Sequence, residues 1–283
     1  MEFRDVLRSV EELFVLEFTV FNLSLVYIGM LFAYGLDFYK VFFVTAAFLS
    51  ARPAGLLINR YIGRELDIKN TKKKNMASLK IPKGYLLLAA FAFSALFLFC
   101  AYMLNPLALE LAPLVLVLFV LDPVSKKHTK NRHFVVGFIE GGSVIAGYIG
   151  AAGTFPPFAA LYVLWAAIVF VGGGGDMLFT IIHMDFDRKN SLKTYPSRYG
   201  AEKTLGYSLL FHSIGGLLII LFGYLSSSWI VFVGSFIAAA ALMLEHLKVD
   251  VKNDRKVWRK FAVYNALTVL ILLFSVVVSK FAL

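Results

Sequence analysis

Two acid-bearing stretches hold the residues best suited to chemistry. In ARPAGLLINRYIGRELDIKN, Asn59, Gly63 and Asp67 recur at i, i+4 and i+8, which puts them on one face of a helix, with Arg52 two turns earlier on nearly the same face. In GGGGDMLFTIIHMDFDRKN, Asp176, Thr180, His183 and Asp187 follow a spacing of 0, 4, 7 and 11, which predicts a single polar stripe. Carboxylate and amide oxygens suit Mg²⁺, which keeps several waters and shares its shell with phosphate oxygens. The surrounding Arg and Lys residues bind phosphate oxygens as forks or point charges. Two such stripes converging on divalent cations would form a diphosphate site.

Plainer readings stand beside this one. Asp67 or Asp187 alone also reads as a solvated helix-end residue paired with a neighbouring base, and His183 alone as a hydrogen-bonded interfacial histidine. Lys72, Lys73 and Lys74 read as a topology signal or an anionic-lipid contact. The run Gly172–Gly175 before Asp176 lies inside an apolar segment with no preceding strand, so close helix packing or a local helix break explains it better than a phosphate cradle. Phe91, Phe93, Phe97 and Phe99 read as lipid-facing or packing residues.

The elements that must position these stripes are membrane helices. The chain of 283 residues is 59% hydrophobic and only 16% charged, against about a quarter charged in soluble domains. That composition excludes disorder, and with it a soluble nucleic-acid-binding domain carrying the net charge of +10. Continuous apolar runs predict nine spans, near 13–35, 39–58, 84–104, 106–122, 134–153, 157–182, 204–225, 228–246 and 261–281. Their length and continuity exclude a barrel, which needs short alternating segments. The lone Cys100 sits in an apolar run and permits no internal disulfide. The N-terminal MEFRDVLRSVEEL lacks the form of a cleavable leader, so the first span is expected to be retained.

Most of the 28 basic residues fall in four links, 59–83, 123–133, 183–203 and 247–260, while the alternate links are short and nearly uncharged. The positive-inside rule places those four links in the cytoplasm, with the N-terminus inside and the C-terminus outside. Asp67-Ile68-Lys69-Asn70 and Asp187-Arg188-Lys189-Asn190 occupy matching links four helices apart, each followed by a proline and a glycine. This echo predicts one polytopic membrane domain over 1–283, with pseudo-repeat halves at about 13–122 and 134–246 and a ninth helix at about 261–281.

With these residues in place, the chain resembles the UbiA superfamily of intramembrane prenyltransferases, nearest the branch that acts on 4-hydroxybenzoate-like acceptors. Ala51, Arg52, Asn59, Arg60, Arg64, Asp67 and Asn70 match its first motif. Gly174, Asp176, Phe186, Asp187, Arg188, Lys189, Pro196, Arg198 and Gly200 match its second. The likeness runs from about Glu17 to Gly200. Gly63 and His183 stand where the motifs have their first aspartates, Asp122 precedes Lys126 where a tyrosine is usual, and Lys80 takes the place of an arginine.

The resemblance implies an all-α integral membrane fold of nine transmembrane helices, a bundle of two four-helix halves around a central cavity. It also implies an enzyme that moves an isoprenoid chain from an allylic diphosphate to a lipid-soluble, aromatic acceptor, as in quinone or prenyl-lipid synthesis. Asn59, Asp67 and Asp187 are the expected catalytic residues, and Asn59, Asp67, Asp176, His183 and Asp187 the expected metal ligands, with Asp185 an alternative to Asp176. Arg64, Lys126, Arg188 and Lys189 would bind the diphosphate, and Arg52 and Arg198 would hold the motifs or bind the acceptor. The cofactor would be Mg²⁺, with Mn²⁺ or Zn²⁺ open because His183 offers nitrogen. The partners would be an isoprenyl diphosphate donor, a hydrophobic acceptor and the bilayer, with no nucleic acid and no obligate protein partner. A rival expectation, from Gly63 and His183, is a relative that binds or carries isoprenoid lipid without transferring it. A small-solute transporter is disfavoured, because the polar residues lie at helix ends on one side rather than at the midplane.

Overall fold

Nearly every stretch between the Gly, Pro, Asn and Asp punctuation is helical. The computed structural model describes residues 16–70, 73, 77–248 and 254–281. In chain order the helices are α1 (Leu16–Leu31), α2 (Phe38–Lys69), α3 (Lys83–Leu104), α4 (Pro106–His128), α5 (Arg132–Ala152), α6 (Ala159–Ile181), α7 (Met184–Lys189), α8 (Tyr195–Tyr199), α9 (Ala201–Leu225), α10 (Trp229–Lys248) and α11 (Asp254–Phe281). Among the described residues there is no strand. Eight of these helices are long and apolar enough to cross a membrane, and α1, apolar over Glu17–Leu31, occupies the place of the first expected span. Lys72, Lys74 and Lys252 lie outside the described residues.

The largest departure from the expected boundaries is α2, which runs on to Lys69 rather than stopping near residue 58. Its 32 residues rise about 48 Å at 1.5 Å each, well beyond the roughly 30 Å of hydrocarbon. The first acidic stretch is therefore the protruding end of a membrane helix and not a loop, so its residues keep a rigid spacing. The helix starts on an Asp37 cap, whose carboxylate accepts from the Lys40 amide at 2.8 Å. At the same membrane face Asn105 caps α4 and also donates to the Ile149 and Gly150 carbonyls, tying α4 to the end of α5.

The core is built where α1 crosses α5 and where α6 packs between α5 and α9. Leu25, Ile28, Val144, Leu164, Ile168 and Phe222 are fully buried there. Gly29 and Gly147 make the first crossing possible: a Cβ at Gly29 would strike the Val144 carbonyl, and one at Gly147 the Val26 carbonyl. Such close backbone approach is how membrane helices associate without a hydrophobic driving force between them. The outward faces stay apolar, with Phe91 72% exposed and Phe99 53% exposed, as expected of side chains facing lipid. The run Gly172–Gly175 lies within an unbroken α6, where a Cβ at Gly174 would come within 2.5 Å of His212 and one at Gly175 would overlap Phe261. Close packing, not a helix break, accounts for that run.

Candidate active site

The protruding end of α2 carries the first half of the site. Asp67 is buried, and its two oxygens are held by Arg60 at 3.1 Å and Lys73 at 2.6 Å. Burial lowers the Lys73 ammonium from its usual range, and the facing Asp67 carboxylate only partly offsets this. Asn59 donates through Nδ2 to Asp122 on α4 at 3.0 Å, and its Oδ1 accepts no hydrogen bond among the described residues. Gly63 sits between these groups: a Cβ there would lie 3.8 Å from Asn59 Oδ1 and 3.9 Å from Asp67 Oδ2. Arg64 donates to the Leu79 carbonyl at 2.8 Å, and its other terminal nitrogen is buried with no partner among the described residues.

The second half is not the single stripe that spacing predicts. α6 ends at Ile181, two residues turn, and the short α7 restarts at Met184, so Asp176 and Asp187 stand on different elements. Asp187 is fully buried and accepts from Thr194 Oγ1 at 3.1 Å; Lys126 Nζ lies 3.0 Å from its Oδ1, at ion-pair distance but out of hydrogen-bonding alignment. Thr194 is itself fixed by the capping box that opens α8. The two acidic stretches meet directly, because Asn70 Nδ2 lies 3.3 Å from His183 Nδ1. Each stretch thus ends in a buried aspartate that holds a lysine, Lys73 on one side and Lys126 on the other.

Asp176 is committed elsewhere. It accepts from Arg132 at 2.7 Å and from His133 Nδ1 at 2.5 Å. The Tyr195 amide donates to His133 Nε2 at 3.4 Å, so Nδ1 carries the ring proton and donates it to the carboxylate. Arg132 also donates to Asp122 at 2.9 Å, and Asp122 takes the Asn59 amide. One polar chain therefore runs Asn59, Asp122, Arg132, Asp176, His133, Tyr195, lacing together the ends of α2, α4, α5, α6 and α8. By sequence Arg132 reads as loop charge and His133 carries no signal of a role, because a base at a span end looks like a topology signal. The available clue was three charged or imidazole groups, Asp122, Arg132 and His133, flanking one short link.

Of the remaining expected residues, Lys126 is in the site, while Arg188, Lys189 and Arg198 are exposed at its rim. Arg188 donates to the Ser197 carbonyl at 3.0 Å, and Arg198 lies over the Tyr199 ring at 5.8 Å. Asp185 is exposed. Arg52 lies deeper along α2, with its Nε buried and unpartnered among the described residues. No three His, Cys, Asp or Glu side chains among the described residues come together as a ready-made metal cage. What the described residues offer a hard cation is partial: Asn59 Oδ1 and Asp67 Oδ2 on either side of Gly63, and Asp187 Oδ1, which is buried without a hydrogen bond among them. Such a set fits Mg²⁺ only with its shell completed by water and phosphate oxygens.

The comparisons with known proteins bear on the family and the fold. The family model described as the UbiA prenyltransferase family matches residues 22–277. A 4-hydroxybenzoate octaprenyltransferase of Shewanella pealeana is 32% identical over 171 residues, which cover 59% of this chain and 58% of that protein. The enzyme of the same description from Aeromonas hydrophila is 28% identical over 218 residues, 76% of this chain and 74% of that one. The sequence match to the first of these relatives thus spans little more than half its length. Among solved structures, the apo UbiA homolog from Aeropyrum pernix K1 superposes with a TM-score of 0.81 at 24% identity, covering 93% of this chain and 98% of that one. A UbiA homolog from Archaeoglobus fulgidus, bound to DMAPP and Mg²⁺, superposes with a TM-score of 0.73 at 16% identity, covering 95% and 99%. With the family model matching almost the whole chain and its multi-pass helical bundle sharing their fold, this integral membrane protein belongs to the UbiA prenyltransferase family.

Proposed function

We propose that the protein transfers an isoprenoid chain from an allylic diphosphate to a lipid-soluble aromatic acceptor. The observation that carries this reading is the meeting of the two acidic stretches at one membrane face, with buried Asp67 and Asp187 each holding a lysine and with Arg60 and Arg64 close by. Lys73, Lys126, Arg60 and Arg64 would take the diphosphate oxygens, and Asn59, Asp67 and Asp187 would hold the divalent cation. Mg²⁺ bound there would neutralise diphosphate charge and ease departure of the leaving oxygen. The allylic C–O bond then breaks with its electron pair leaving on the diphosphate. The acceptor's π electrons form the new C–C bond, and the displaced ring proton is released. Preorganised positive charge lowers the barrier most in a site that excludes water, and the apolar bundle above the polar layer provides that exclusion. Arg188, Lys189 and Arg198 at the rim would capture the donor before it enters. In this reading the motif ends face the cytoplasm with the N-terminus, the C-terminus lies outside, and the two halves descend from a duplication.

The rival, a relative that binds isoprenoid lipid without transfer, is motivated by Gly63, which leaves the first motif one carboxylate short, and by His183, whose Nδ1 is engaged with Asn70. Purified protein in lipid, given radiolabelled geranylgeranyl diphosphate, aromatic and glycerol-phosphate acceptors, and Mg²⁺, Mn²⁺ or Zn²⁺ in parallel, separates the two. Metal-dependent prenylated product that disappears in Asp187→Ala supports transfer. Donor binding without diphosphate release under every metal refutes it in favour of the lipid binder.

A further inference from the structure

Asp67 and Asp187, the carboxylates available to a cation, are each covered by a lysine. Lys73 Nζ takes Asp67 Oδ1 at 2.6 Å while Arg60 takes Oδ2 at 3.1 Å, and Lys126 Nζ lies 3.0 Å from Asp187 Oδ1. The Asp67 and Asp187 side chains are 9% and 0% exposed, whereas both lysines are 22% exposed. A ligand arriving from water therefore meets ammonium before carboxylate. The two ammoniums approach from opposite halves of the site and stand within electrostatic reach of one another. Burial, with the neighbouring charges of Arg60 and Lys126, disfavours the Lys73 ammonium by more than Asp67 returns, so a further anion beside it is favoured. Charge balance points the same way. Arg60, Arg64, Lys73 and Lys126 accompany two carboxylates, and adding the brace behind them, Arg132 with Asp122 and Asp176, still leaves a cation in excess. Carboxylates at positions 63 and 183 would reverse that balance, and the chain has Gly63 and His183 there.

We infer that Lys73 and Lys126 make cation entry conditional on the diphosphate: an arriving diphosphate draws both ammoniums off Asp67 and Asp187 onto its own oxygens, and only then are the two carboxylates open to a divalent cation. This rests on the diphosphate site of the proposed transferase and adds the order in which that site fills. Flexible four-carbon stems suit lysine to the exchange. Little else need move, because Thr194 keeps its bond to Asp187 Oδ2 at 3.1 Å and the Lys193 amide holds the Lys126 carbonyl at 3.1 Å. A cation alone would have to expel two ammoniums with no anion to receive them, which strands charge in a buried site. A diphosphate offers each ammonium a new charged partner.

The test measures each ligand without the other, on the full-length protein in lipid. Mn²⁺ alone is followed by the paramagnetic signal of the free ion, and radiolabelled geranylgeranyl diphosphate alone is followed in EDTA. Wild type should retain the diphosphate in EDTA and bind Mn²⁺ alone poorly. Lys73→Met and Lys126→Met should each tighten Mn²⁺ binding about tenfold and weaken diphosphate binding about tenfold, as expected for one hydrogen bond between charged groups. Opposite signs in one variant exclude simple unfolding, which weakens both. Failure of wild type to bind the diphosphate in EDTA, or Mn²⁺ affinity that is unchanged or lower in both lysine variants when folded, overturns the inference. Opposite-signed shifts in a protein that forms no prenylated product leave the inference standing and refute the transferase reading. Product formation without those shifts does the reverse.

Discussion

Replacing Arg132 with Met removes the only cation bonded to both Asp122 and Asp176 among the described residues. The three side chains are 10%, 16% and 13% exposed, so water screens them little. Stripping one partner from a buried ion network leaves uncompensated charge and costs about 3–5 kcal/mol. The triple variant Arg132→Met, Asp122→Asn, Asp176→Asn should recover part of that loss. The amide oxygen introduced at position 122 can still accept from Asn59, and the one introduced at position 176 can still accept from the His133 Nδ1–H, so no carboxylate is stranded and the two outer hydrogen bonds survive. Each of those bonds weakens from charge-assisted to neutral, a loss of about 1 kcal/mol apiece. The triple variant should therefore be clearly more stable than Arg132→Met, although the new amide NH2 groups facing position 132 keep it below wild type. Unfolding in mixed micelles by graded SDS measures all three proteins on one scale. A single variant within about 1 kcal/mol of wild type, or a triple variant no more stable than the single, would refute the claim that this network is a buried, charge-balanced tie.

Three further outcomes follow from the geometry. Gly63→Asp places its Cβ in ordinary contact with Asn59 Oδ1 and Asp67 Oδ2, so it should fold normally and tighten Mn²⁺ binding by about tenfold or more through an added carboxylate ligand; unchanged affinity by paramagnetic titration counts against the Asn59–Asp67 metal site. The Tyr199 phenol is held below its ordinary value by the Lys130 ammonium, which donates to it at 2.7 Å. The folded state therefore sheds this proton first, and the contribution to stability grows as pH rises from the lowered value toward 10.0 and is lost as pH falls back through the lowered value. Tyrosinate absorbance should show an early-titrating group that vanishes in both Tyr199→Phe and Lys130→Gln, and its persistence in either breaks the assignment. Gly174→Ala drives a methyl to 2.5 Å from His212 and should destabilise by about 1–3 kcal/mol through overpacking, whereas Gly84→Ala, with nothing within 4 Å, should unfold like wild type in the same SDS titration.

The way the site is assembled gives each element a distinct task. The overlong α2 offers its oxygens and bases on a rigid rod. The break after α6 turns Asp187 inward against Lys126 and Thr194, while Asp176 remains behind to brace the ends of α4, α5 and α8. The braced layer sits beneath an apolar bundle.

Membrane insertion, the helical class and the two acidic stretches were legible from residue order alone, because hydrocarbon forces continuous apolar runs and concentrates charge at their ends. The pairing of Asn59, Gly63 and Asp67 on one face was legible for the same local reason: α2 is an unbroken helix there, and helical spacing is a property of sequence distance. The stripe from Asp176 to Asp187 failed because the turn at Ile182 and His183 is set by the contacts of α7, notably the Asn70–His183 hydrogen bond and the Thr194 grip on Asp187. Those partners are distant in sequence, and no spacing rule encodes them. The brace through Arg132 and His133 belongs to the same class. It joins helices whose order along the chain does not say which faces will touch, and only packing, down to the bare glycines at 29, 147 and 172, decides it.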